Sequence, residues 1–132
     1  MKYLLDTHTF LWTVFEPEKI GVKAKALITN REHAILVSLV SFWEISLKYS
    51  LGKLRLENVS PAEFPAIAKA MDLEILGIDA EDVSTFHELP LVGHRDPFDR
   101  LIIRQAIRRK IPVITKDEDF KLYKPHGLRI VW

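Results

Sequence analysis

Cysteine is missing from all 132 residues. Its absence removes a disulfide framework, a thiolate nucleophile and any cysteine-based zinc or iron–sulfur site. Long apolar runs are missing too: none approaches the roughly 18 residues that a membrane span needs. The apolar start Met1–Leu5 turns acidic at Asp6, too early for the core of a signal peptide. Neither GxGxxG nor GxxxxGK[ST] occurs, so a phosphate-cradling nucleotide loop is not expected. Net charge is only +1 and 48% of the residues are hydrophobic, which argues against disorder. What remains is one domain, residues 1–132, expected in the cytoplasm without membrane contact. It is long enough to bury a core without staples.

The near-neutral total hides a segregation of charge. Residues 1–56 carry +3, residues 57–88 carry −7 and residues 95–132 carry +5. The basic final third can attract a polyanion, unless the two oppositely charged blocks face each other or water.

Hydrophobic periodicity alternates between strand and helix. Short apolar strands are expected at Lys2–Asp6, Ala34–Leu39, Leu73–Ile78, Ile111–Thr115 and Leu128–Val131. Helices are expected at Thr7–Phe15, Val22–Asn30, Ser41–Ser50, Pro61–Met71, Ala80–Glu88 and Asp96–Arg109, with a short turn at Glu118–Tyr123. Ser41 reads as an N-cap with Glu44 at the capping-box spacing. Pro61–Met71 has few large side chains and reads as a mobile flap or partner-binding element. Short apolar strands separated by helices imply a three-layer α/β/α sandwich around a mainly parallel sheet of about five short strands.

In such sheets the working groups lie beyond the carboxyl ends of the strands. Asp6 follows the first strand and Asp117, with Glu118 and Asp119, follows the fourth. Glu44 lies one turn into the helix after the second strand, and Asp96 and Asp99 open the helix before the fourth. Each acid alone has a structural reading as a cap, a dipole partner or half of an ion pair. Together, four or five carboxylates at one sheet edge repel unless a cation sits among them. Oxygen-only ligands select Mg²⁺ or Mn²⁺, and such ions suit attack on a phosphodiester.

At these residues the chain resembles the PIN-domain ribonucleases, in particular VapC-type toxins of toxin–antitoxin pairs. The matching segments are Leu4-Leu5-Asp6-Thr7-His8 with Leu11-Trp12; Ser41-Phe42-Trp43-Glu44-Ile45 with Lys48; His94-Arg95-Asp96-Pro97-Phe98-Asp99-Arg100-Leu101-Ile102; and Thr115-Lys116-Asp117 with Phe120. The resemblance implies an α/β/α fold, metal-dependent RNA cleavage with Mg²⁺ or Mn²⁺, an antitoxin that blocks the site, and a homodimer. Carried over by position, Asp6, Glu44, Asp99 and Asp117 look like the metal-binding, catalytic acids. Asp96 is the extra acid of the DPFDR segment, Thr115 resembles the supporting hydroxyl residue, and Asp119 an outer acid.

Three cations remain as contacts for RNA or an antitoxin: Lys48, one turn after Glu44, and Arg100 and Arg104, which with Arg108 recur every fourth residue. His8 and His94 flank the acids, although metal-activated water needs no histidine base. Phe10, Trp12, Phe42, Trp43 and Tyr49 read as core, or as part of a dimer or antitoxin surface. Two other readings compete. One is a PIN domain that binds RNA without cutting it. The other is a phospho-acceptor signalling domain with Asp79 as acceptor and Lys116 as its partner, although the paired acids such domains need after the first strand are absent.

Overall fold

A computed structural model describes all 132 residues, Met1–Trp132. Five strands form one sheet: β1 (Lys2–Leu5), β2 (Ala34–Ser38), β3 (Glu74–Leu76), β4 (Val113–Ile114) and β5 (Ile130–Val131). Their order is β3-β2-β1-β4-β5 and every pairing is parallel. Six α-helices connect and cover them: α1 (Thr7–Phe15), α2 (Val22–Thr29), α3 (Leu39–Ser50), α4 (Phe64–Ala70), α5 (Ala80–Ser84) and α6 (Pro97–Arg109). A longer 3-10 segment spans Glu118–His126.

The strands alternate faces, and both faces are apolar, as a covered parallel sheet requires. Leu4, Leu36 and Val113 point to one side, where they pack with Phe98, Leu101 and Ile102 of α6 and with Phe120 and Tyr123. Tyr3, Leu5, Ile35, Val37 and Ile114 point to the other, where they meet Phe10, Ala24, Ile45, Phe64 and Ala68 from α1 to α4. The expected α/β/α sandwich is therefore the observed one.

Several local expectations change. Helix α3 begins at Leu39 and its cap is Ser38, whose Oγ accepts from the Val40 N–H at 3.0 Å. Ser41 lies inside the helix and bonds Thr7 Oγ1 at 2.9 Å, joining α3 to α1. The stretch from Pro61 opens with a 3-10 turn boxed by Ser60 and Glu63, then becomes α4. Far from forming a flap, α4 buries Phe64 and Ala68 completely. Phe64 also stacks edge-on against Phe10 and Phe15.

Candidate metal centre

Parallel register decides which residues meet beyond the strand ends. Leu5 pairs with Val37 on one side and Ile114 on the other, so Asp6 and Thr115 emerge side by side. The Thr115 hydroxyl donates to Asp6 Oδ2 at 2.6 Å and accepts from the Asp117 N–H at 3.0 Å. Asp6 also caps α1, with Oδ1 accepting from the Thr9 N–H at 2.8 Å. One Asp6 oxygen therefore serves as the cap while the other is turned to Thr115 at the strand edge.

Asp96 behaves similarly. Its Oδ1 caps α6, accepting from the Phe98 and Asp99 N–H groups at 2.8 and 3.2 Å. Its Oδ2 lies 4.0 Å from Lys48 Nζ. Glu44 reaches the same place from α3, and Lys48 one turn later binds its Oε2. Glu44, Asp96 and Asp99 each offer an oxygen within 4.8 Å of the others. His94, Asp117 and Asp119 form an adjoining group with the same spacing. His94 Nε2 connects the two, at 3.3 Å from Asp99 and 3.8 Å from both Asp117 and Asp119. Asp119 is further tied to Asp117, whose Oδ1 accepts its N–H at 2.9 Å.

The electrostatics of this cluster are strained without a cation. Burial pushes the Asp99 carboxyl up to about 8, and the charges of Asp96, Glu44, Asp6 and Asp117 add to the effect. Burial also raises Asp6, outweighing its hydrogen bonds from Thr115 and Thr9. Burial works against the Lys48 charge, but Glu44, then Asp96 and Asp99, hold its ammonium above the ordinary value. Glu44 Oε1 is buried with no hydrogen-bond partner, although buried polar atoms nearly always have one. The all-carboxylate group of Glu44, Asp96 and Asp99, with its orphaned buried oxygen, fits a hard divalent ion.

The expected basic face of α6 does not exist as a free surface. Arg100 is only 4% exposed. It donates to the Pro90 and Leu89 carbonyls at 2.9 and 3.2 Å and to Tyr123 Oη at 2.8 Å. Arg104 donates to Thr85 Oγ1 at 3.0 Å and approaches Glu88 at 4.0 Å. Arg108 pairs with Asp79, Glu81 and Asp82. The basic and acidic blocks therefore face each other there. This pairing also removes Asp79 as an acceptor site: Arg108 and Arg109 hold it at 2.9 and 3.2 Å, whereas Lys116 lines a cleft with Asp6 and Asp117.

That cleft continues along α1. Its successive depressions share His8 and are lined by Lys48 and Lys53, then by Trp12, Phe15, Arg55 and Leu56. A separate cavity of about 550 Å³ lies at the opposite, amino-terminal end of the strands, among Ile20, Asn30, Ile35 and Leu73. Sequence periodicity missed the Tyr123 and Ser38–Gln105 contacts. Ser38 Oγ donates to Gln105 Oε1 at 2.6 Å, and a glutamine on an apolar helix face was the one available signal.

A parallel sheet that gathers carboxylates from four separate chain segments at one edge defines an acid-cluster α/β domain. The model of the PIN domain family matches residues 3–124, and the chain belongs to that family. It is similar to ribonuclease VapC22 of Mycobacterium tuberculosis, with 28% identity over 129 residues, 98% of this chain and 97% of the relative. Among solved structures it is similar to VapBC2 from Rickettsia felis bound to a promoter DNA fragment. That match has a TM-score of 0.67, 18% identity, and coverage of 99% of this chain and 98% of the other. DNA-bound VapBC from Salmonella typhimurium matches with a TM-score of 0.67, 20% identity, and coverage of 99% and 97%.

Proposed function

We propose that this chain, read as one PIN-like nuclease domain over 1–132, is a Mg²⁺- or Mn²⁺-dependent endoribonuclease and the toxin of a toxin–antitoxin pair. The observation that carries the reading is Glu44 Oε1, buried and unpaired beside Asp96 and Asp99. Asp6, Glu44, Asp99 and Asp117 would hold the ion, with Asp96 and Asp119 beside them. A divalent cation supplies Lewis acidity there, activating water and offsetting charge on the phosphodiester in the transition state. The chain's own groups bind and orient. Thr115 fixes Asp6 and Asp117 relative to each other, and Lys48 stands at the rim to meet a phosphate or an antitoxin carboxylate. Trp12 with Lys53, Arg55 and Lys116 in the α1 cleft suits a single strand, which needs stacking and phosphate neutralisation together.

One solved neighbour, VapBC-5 from Mycobacterium tuberculosis, is by name a member of a family of toxin–antitoxin systems, and another is a toxin–antitoxin complex from Klebsiella pneumoniae, which supports a small protein partner over the same cleft. A second copy is assigned to the stripe of Leu39, Trp43 and Leu47 on α3, where each side chain is exposed. No helix is long and apolar enough to cross a membrane, and the cytoplasm is the proposed location. The test is incubation of total cellular RNA with the purified protein in Mn²⁺, beside Asp6→Asn and a chelator. Discrete products that vanish in both controls are expected. RNA bound but uncut by the wild type would favour the non-cleaving reading instead.

A further inference from the structure

His94 sits at the junction of the two acidic groups, and the structure invests unusual care in holding it there. The loop before it is pinned from beneath by two buried side chains. Arg100 bonds the Leu89 and Pro90 carbonyls, and the Tyr123 hydroxyl donates to the Val92 carbonyl at 2.8 Å while accepting from Arg100. Gly93 has φ +68, and a Cβ there would meet Leu122 Cδ1 at 2.9 Å. The backbone therefore turns tightly over the 3-10 segment that follows Asp117 and delivers residue 94 to the cluster.

The ring itself is oriented. The Asp96 N–H donates to His94 Nδ1 at 3.2 Å, so Nδ1 presents its lone pair and the proton of the neutral imidazole belongs to Nε2. Nε2 then lies on the cluster side of the ring, 3.3 Å from Asp99 and 3.8 Å from both Asp117 and Asp119, close enough for electrostatic attraction but not aligned as a hydrogen bond.

We infer that His94 is a positioning residue, held by the Arg100–Tyr123 clamp, whose Nε2–H edge lies against the Asp99 and Asp117 carboxylates and steadies them for the divalent ion without itself being a ligand. The inference rests on the proposed metal-dependent function. Carboxylate ligands commonly depend on polar groups behind them, whose loss costs about 10–100-fold in metal affinity.

The experiment is Mn²⁺ binding to the intact protein, by calorimetry and by electron paramagnetic resonance with detection of nitrogen coupling. His94→Ala should weaken Mn²⁺ binding by about 10–100-fold, while His94→Gln, which restores an N–H donor, should recover most of it. His94→Asn, whose donor is retracted, should behave like His94→Ala and serves if the alanine variant folds poorly. Tyr123→Phe should also weaken binding, but add little in the His94→Ala background, since both act through one device. Unchanged affinity in His94→Ala would overturn the inference and leave the metal reading intact. So would a histidine nitrogen coupling to bound Mn²⁺ that His94→Ala abolishes, because it would make Nε2 a ligand. Wild-type protein that binds no Mn²⁺ would overturn the inference and the proposed function together.

Discussion

Burial, with four like charges beside it, pushes the Asp99 carboxyl up to about 8. Its unfolded value lies near about 3.9. A raised folded value means that the stability this group supports is full below about pH 4 and is lost as pH rises through about 8. With a chelator present, the thermal midpoint should therefore fall between pH 5 and 9. Asp99→Asn should flatten that decline and raise the midpoint at pH 8 by several degrees, as calorimetry would show. The same substitution should abolish RNA cleavage. A residue that destabilises its own fold while serving a site is expected where charge is gathered for function.

Among the elements, α5 and α6 are joined by an ion cluster of Asp79, Glu81, Asp82, Arg108 and Arg109. Asp82 is fully buried and meets Arg109 at 2.7 Å, Arg108, and the Gln105 amide at 3.1 Å. Burial alone would raise Asp82, but Arg109, the Asp79 N–H, Gln105 and Arg108 hold its carboxyl far below the usual range. A depressed folded value contributes stability above the unfolded value near about 3.9, and that contribution is lost as pH falls below it. Urea unfolding should show wild-type stability declining from pH 5 to pH 2, with a shallower decline in Asp82→Asn. At pH 7 that variant should cost about 3 kcal/mol, since it leaves two arginines without their buried partner. Gln105 links this cluster to Ser38, the cap of α3, so damage here reaches the helix that carries Glu44.

For the whole molecule, the α3 stripe bears on assembly. Trp43 is 54% exposed yet lies edge-on against Phe98 at 4.8 Å, one residue from Asp99. An exposed apolar stripe can face its own copy across a two-fold axis and form a dimer. Light scattering should find a dimer for the wild type and a monomer for Trp43→Asp.

The sequence by itself determined the layers and the edge. Apolar runs of three to five residues between amphipathic helices allow little but a covered parallel sheet, and such a sheet sends every strand's carboxyl end the same way. Asp6, Glu44, Asp99 and Asp117 were legible for that reason, together with the segments resembling the family. What only the tertiary structure decided was the partner of each charged side chain. The spacing of Arg100, Arg104 and Arg108 reads as a basic face, but helix periodicity says which residues share a side and nothing of what that side meets. Packing α6 against the sheet buried Arg100 under the His94 loop and set Arg108 against α5. Likewise Phe64 and Ala68 made α4 a core helix, because burial depends on which neighbours a face finds rather than on how many large residues it carries. Long-range contacts, from Thr115 to Asp6 and from Tyr123 to Val92, join residues whose separation along the chain leaves no local trace.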